Sequence, residues 1–68
     1  MSEIHFVVEE AAEGGYVARA VDVDIVTEAD DLQGLHAQVR DAVRCHFEAA
    51  ELPHLIRLHI TREEVLSA

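Results

Sequence analysis

Alternating apolar and polar positions mark the first segments of the chain as β-strands. Over residues 3–10, every even position from Ile4 to Val8 is apolar while the positions between them are mixed, as in a half-buried strand. The Gly14–Gly15 pair that follows tolerates the positive φ angles of a tight reversal. The pattern therefore predicts a hairpin that leads into a second strand over about 16–21.

A third strand is predicted from the β-branched residues that come next. Val23, Ile25 and Thr27 continue this enrichment after a short acidic break at Asp22. We therefore expect another tight turn and a strand over about 23–28, which completes a three-stranded meander.

One stripe of apolar residues at helical spacing predicts a single helix over about 31–51. Asp30 is expected to be its N-cap, with Gln33 three positions on, as in a capping box. Pro53 is expected to end the helical region, since the residue before a proline is pushed out of the α region. The stripe comprises Leu32, Leu35, His36, Val39, Ala42, Val43, His46, Phe47 and Ala50.

Alternation returns over 55–60 and predicts a fourth strand. The chain is thus expected to be one α+β domain over 1–68, of order β-β-β-α-β, with an antiparallel-rich sheet and the helix packed on one face. One helix shields only one side of such a sheet, so the other side is either exposed to water or covered by another chain. Scattered apolar residues on a half-exposed sheet are also ordinary. The residues expected on the uncovered side are His5, Val7, Leu55, Arg57 and His59.

Length and charge narrow the kind of partner. A 68-residue chain buries only about 60% of the surface of its unfolded form, so its core is thin and self-association is expected. The formal net charge of -9 repels nucleic-acid backbones and favours a basic protein partner. The lone Cys45 excludes an internal disulfide. No apolar run is long enough for a membrane span, and no secretion signal is expected, which predicts a cytoplasmic protein.

Several short motifs together resemble the HicB-type antitoxin domain. The most specific is Glu-Gly-Gly-Tyr-x-Ala after an alternating strand that ends in two acids. The resemblance covers nearly the whole chain and rests on Ile4–Glu10, Glu13–Ala18, Ile25–Glu28, Ala42 and Val43 with Phe47, and Ile56–Leu58.

This resemblance implies a partial ribonuclease-H-like fold without ribonuclease activity, whose role in the family is to bind and block a small basic toxin that cleaves messenger RNA. Such antitoxins usually also carry a DNA-binding segment that represses their own operon. No such segment is expected in this chain, and no direct binding to nucleic acid is expected either.

The histidines and the cysteine do not predict a metal or catalytic site, and we expect no enzyme activity, no cofactor and no metal. His36 and His46 are too far apart along the helix to share an ion, and His5 and His59 would meet only if the first and last strands were neighbours. Cys45 lacks a histidine at one-turn spacing.

Two acidic pairs and one tyrosine are further candidates for a functional site. Asp22 and Asp24 share a strand face, as two-metal nuclease sites require, but no basic residue lies near them to position a nucleic acid. Glu9 with Glu10 is the other acidic pair. Tyr16 fits hairpin packing, or a hydroxyl that faces a partner.

Two hypotheses of function follow. The first is an antitoxin-like, protein-binding module that associates with itself and masks a small basic toxin. The second is a self-associating structural or regulatory module, or a binder of a small ligand at a subunit boundary, with no toxin. The predicted interface residues are His5, Val7, Tyr16, Leu55, Arg57 and His59.

Overall fold

The computed structural model describes residues 2–62 and 64–68, and its elements follow the order β-β-β-α-β. The predicted α+β fold class is confirmed. The domain predicted over 1–68 also includes Met1 and Glu63, which lie outside the described residues. The elements are β1 (Glu3–Glu10), β2 (Tyr16–Ala20), β3 (Val26–Ala29), α1 (Leu32–His46), a 3-10 turn (Ala49–Glu51) and β4 (Leu55–Thr61).

The four strands form one mixed sheet in the order β3-β2-β1-β4. β1 pairs antiparallel with β2, where Phe6 lies opposite Ala20, and parallel with β4, where Phe6 lies opposite Leu58. β2 pairs antiparallel with β3, where Ala18 lies opposite Thr27. The first and last strands are therefore neighbours, and β3 and β4 form the two edges of the sheet.

The β1–β2 hairpin reverses at the two glycines, as predicted. Gly14 and Gly15 have φ angles of 98° and 83°, in the region that side chains disfavour. The Gly14 N–H donates to the Ala11 carbonyl, and the Ala11 N–H donates to the Gly15 carbonyl, both at 3.0 Å. A Cβ on Gly15 would also lie 2.7 Å from the Ala29 carbonyl oxygen of β3, so this position requires glycine for a second reason.

The helix starts one residue later than predicted, and Asp30 as its N-cap is wrong. Asp31 has the extended backbone of a cap (φ -139°, ψ 169°), and its side chain accepts a hydrogen bond from the Gly34 N–H at 2.6 Å. Asp31, and not Asp30, directly precedes the first helical residue, Leu32. Gln33 consequently does not occupy the third helical position of a capping box.

The predicted helix end at residue 51 is also wrong, because the helix stops at His46. The next residue, Phe47, becomes extended (φ -105°, ψ 148°) and packs against the core, while its N–H still donates to the Val43 carbonyl at 3.1 Å. The apolar stripe therefore belongs to two elements. Its predicted members His36 and His46 are exposed, as is Ala50 in the 3-10 turn.

The third strand is shifted from its predicted bounds of 23–28. It begins only at Val26, and the preceding residues form a loop in which the Ala20 N–H donates to the Ile25 carbonyl at 2.9 Å. Ile25 is only 7% exposed, because this loop directs its side chain into the core. In the sequence, a β-branched residue that a loop buries looks the same as a strand residue, which explains why the predicted strand began too early.

The core lies between the sheet and α1, and the helix covers the sheet unevenly. α1 packs chiefly against β3 and β2. On β4, Ile56 and Leu58 are only half-buried, and Ile60 is 47% exposed. No helix within the described ranges has the length and apolar character needed to cross a membrane. The buried residues are Ile4, Phe6, Val8, Ala18, Ile25, Leu35, Val39 and Val43.

Candidate protein interface

Five of the six predicted interface residues share the sheet surface opposite α1, which we call the open face. The register of β1 and β4 places Arg57 beside His5 and His59 beside Val7, with Leu55 at the start of β4. Because successive side chains of a strand point to opposite sides, these residues face away from Ile4, Phe6 and Val8 in the core. The other residues that the pairings place on this face are Glu3, Glu9, Val17, Arg19, Val26, Glu28 and Thr61.

An ion pair joins β1 to β4 on the open face. Arg57 Nε lies 2.8 Å from Glu3 Oε1 and donates a hydrogen bond to it. This hydrogen bond and the charge of the Arg57 guanidinium lower the pKa of Glu3 below its ordinary value of 4.5. Both side chains remain largely in water, so the pair orients Arg57 more than it stabilises the fold.

His5 and His59 meet directly beside this ion pair. His5 Nδ1 lies 2.9 Å from His59 Nε2, and the two rings are within 16° of parallel. The ring centres are 5.2 Å apart, which is about the N···N distance plus one ring radius on each side. The rings therefore meet nitrogen to nitrogen through one shared hydrogen, and not face to face. Glu3 Oε2 lies 3.7 Å from His5 Nε2, so the contacts continue from Arg57 to His59.

Exposed aliphatic side chains surround these polar contacts. Val7 is 37% exposed, Leu55 53% and Val26 55%. Val7 and Leu55 lie next to the ordered polar cluster, so this part of the open face combines apolar area with side chains that are already oriented. Binding to such a surface costs less side-chain entropy than binding to disordered side chains.

Tyr16, the sixth predicted interface residue, lies on the other side of the sheet. Its partner in the register is Ala29, and it is half-buried against the core. It lines a shallow concavity of about 560 Å³ at the hairpin end of the sheet, together with the acidic residues Glu13, Glu28 and Asp30. The structure therefore does not bring Tyr16 together with the other five residues.

The remaining candidate residues do not gather into a site. Cys45, His36 and His46 are exposed on α1, and Asp22 and Asp24 are exposed in the loop before β3. Across residues 2–62 and 64–68, no three His, Cys, Asp or Glu side chains are close enough together to hold a metal ion.

Comparison with known proteins identifies the family. A UPF0150 protein of Archaeoglobus fulgidus is 50% identical to this chain over 50 residues, which cover 74% of each chain. The chain belongs to the UPF0150 family. A second UPF0150 protein, from Thermotoga maritima, is 37% identical over 46 residues, which cover 68% of this chain and 66% of the relative. No family model matches the chain, and no solved structure matches it.

Sequence reasoning missed Glu3 as a member of this candidate interface. In the parallel pairing of β1 with β4, Glu3 lies opposite Leu55 and Arg57 lies opposite His5. Glu3 and Arg57 are therefore diagonal neighbours on the same face. Opposite charges at neighbouring positions of two strands are a signal for such a pair, but only once the strands are known to be adjacent. The His5–His59 contact could likewise be predicted only if β1 and β4 were known to be adjacent.

Proposed function

We propose that this UPF0150 chain is a protein-binding module of the cytoplasm with the role of a HicB-type antitoxin, which neutralises a small basic toxin that cleaves messenger RNA. The observation that carries the proposal is the open face, where exposed Val7 and Leu55 adjoin the ordered Glu3–Arg57 and His5–His59 contacts. Aliphatic area beside pre-oriented polar groups is typical of the centre of a protein interface.

The charge of the chain supports a basic partner. Fourteen acidic residues against five basic ones give a net charge of -9, and such a field speeds the approach of a cationic protein. The concavity beside Tyr16 adds three acidic residues at the rim of the sheet. The resemblance of Glu13–Ala18 and the flanking strands to HicB-type antitoxins specifies the toxin as the partner class.

Co-expression with the product of the adjacent gene tests this proposal. A small basic protein that arrests growth when produced alone is expected to become harmless, and to copurify with the UPF0150 chain in a fixed ratio. The double substitution Val7→Asp with Leu55→Asp is expected to abolish both effects, because it places two charges in the centre of the open face.

Gln33→Asp with Gln38→Asp is the matched control, since both side chains are exposed on α1, on the opposite side of the sheet from the open face. It introduces the same two negative charges and should retain rescue and copurification. Circular dichroism of both variants checks that they fold. The proposal is contradicted if the adjacent gene product is not toxic, or if the variant with Val7→Asp and Leu55→Asp gives full rescue.

The second candidate function is self-association without a toxin, and the free edge of β4 favours it. If the purified chain is a stable oligomer by light scattering and the adjacent gene product neither binds nor harms cells, this function replaces the first.

A further inference from the structure

The helix-facing side of β4 is the least covered part of the core. α1 packs chiefly on β3 and β2, so Ile56 and Leu58 are half-buried while Ile60 is 47% exposed. A concavity of about 210 Å³ lies here between α1 and β4, lined by His36, Val39, Arg40, Ile56 and Leu58.

A second concavity extends the first toward the start of β4, and the two share Arg40 and Ile56. It has a volume of about 220 Å³ and is lined by Arg40, Val43, Arg44, Leu52, Pro53 and Ile56. Together they form one groove, which we call the α1–β4 groove, with an aliphatic floor and two arginines on its helix side. Such a groove fits an apolar segment that carries negative charge.

The tail that follows β4 is a segment of this kind. Val65 and Leu66 are 83% and 85% exposed, and the acidic Glu64 precedes them. The molecule is 53 Å long, whereas a strand of eight residues spans only about 27 Å, so residues 64–68 extend beyond the sheet. The tail therefore exposes an apolar pair that contributes little to the fold of its own chain.

The outer edge of β4 is available for pairing. The Leu55 N–H donates to the Ser2 carbonyl at 3.0 Å, on the β1 side. Since backbone groups alternate along a strand, those of Ile56, Leu58 and Ile60 point to the free edge. An exposed row of this kind is a template for another strand.

We propose that two copies of this chain join through antiparallel pairing of their β4 edges, and that the tail of each copy docks at the α1–β4 groove of the other. A two-fold axis at Leu58 lets Ile56 of one copy pair with Ile60 of the other. Past the end of β4 at Thr61, the tail of each copy runs on toward Leu52 and Pro53, which line the partner's groove. Val65 and Leu66 thus reach the end of the partner's groove, near Arg44.

This dimer would bury the apolar surface that the single chain leaves exposed, and it places Glu64 close to the arginines of the groove. The pairing uses the β4 edge and the groove, and although it sets Arg57 of one copy beside His59 of the other, the side chains of both open faces stay uncovered. An experiment can therefore contradict the proposed toxin binding without contradicting this dimer, and the reverse.

Sedimentation of the full chain tests the proposal. The wild type is expected to be a dimer of twice 7.5 kDa. The double substitution Val65→Asp with Leu66→Asp is expected to weaken dimerisation at least ~10-fold, since two aliphatic side chains lose their burial. Ser67→Asp adds charge to the same exposed tail and should leave the dimer intact.

Cysteine cross-linking tests the register in a Cys45→Ser background. Thr61→Cys and Leu55→Cys, at the two ends of β4, become opposite partners across the two-fold axis, within reach of a disulfide. Within one chain these positions are separated by the length of β4, so oxidation can only give a covalent dimer. Thr61→Cys with Asp24→Cys is the control pair and should not form that dimer.

Three results would overturn the proposal: a wild-type monomer up to about 1 mM, a dimer that tolerates both tail substitutions, or equal cross-linking of the two cysteine pairs. A monomer whose own tail fills its groove gives the first of these results.

Discussion

Single positions decide how α1 begins. Asp30 and Asp31 are chemically identical neighbours, and only Asp31 has the backbone that directs its carboxylate to the Gly34 N–H. A Cβ on Gly34 would lie 2.9 Å from that carboxylate oxygen. The glycine that looks unfavourable in a helix therefore leaves room for the cap.

Replacing Asp31 with alanine is expected to lower the free energy of unfolding by about 1 kcal/mol, because the first turn loses its cap. Asp30→Ala is the control and is expected to have little effect. Urea denaturation of both variants measures the difference, and equal losses would show that Asp31 has no special role.

The Glu3–Arg57 ion pair makes the stability of the fold depend on pH, and the lowered pKa of Glu3 gives the direction of this dependence. Because the pKa of Glu3 is lowered in the folded chain, its ionised form stabilises the fold above the ordinary pKa of 4.5, and this contribution disappears as the pH falls through the lowered value. Wild type and Glu3→Gln should therefore differ in denaturation midpoint at neutral pH and converge in acid. In an Arg57→Gln background the same comparison should lose most of its pH dependence, because Arg57 is the largest cause of the lowered pKa of Glu3, with His5 a smaller one.

At the scale of elements, the core depends on the contact of α1 with the sheet. Leu35 is fully buried on the inner side of the helix, whereas its neighbour His36 is exposed. This contrast shows which part of the apolar stripe is core and which part borders the groove.

Leu35→Ala is expected to cost about 2–5 kcal/mol, which is comparable to the whole stability of a domain of this size. The variant should be largely unfolded at 25 °C by circular dichroism. His36→Ala should change stability by less than about 0.5 kcal/mol. A cooperative, near-native melt of Leu35→Ala would contradict this account of the core.

At the scale of the molecule, the sequence predicts the order of elements well and their spatial arrangement only in part. Alternation at Ile4–Val8 and helical spacing at Leu35–Val43 are local signals, so those elements were predicted correctly. Ile25 is buried from a loop and Phe47 half-buried at a helix terminus, where no periodicity applies, so the predicted start of β3 and the predicted end of α1 were both wrong. The adjacency of β1 and β4 depends on how the chain crosses over the sheet, which no local pattern reveals. The polar contacts of the open face could therefore be predicted only on the assumption that these two strands are neighbours.

The parallel pairing of β1 with β4 has a consequence for biosynthesis. β1 leaves the ribosome before the other three strands of its sheet, yet its neighbour on one side begins only at Leu55, 45 residues after Glu10. At translation rates of 5–20 residues per second, that side of β1 stays open for roughly 2–9 s. A nascent chain thus offers an unpaired inner strand to chaperones and to other nascent copies before its last strand is made.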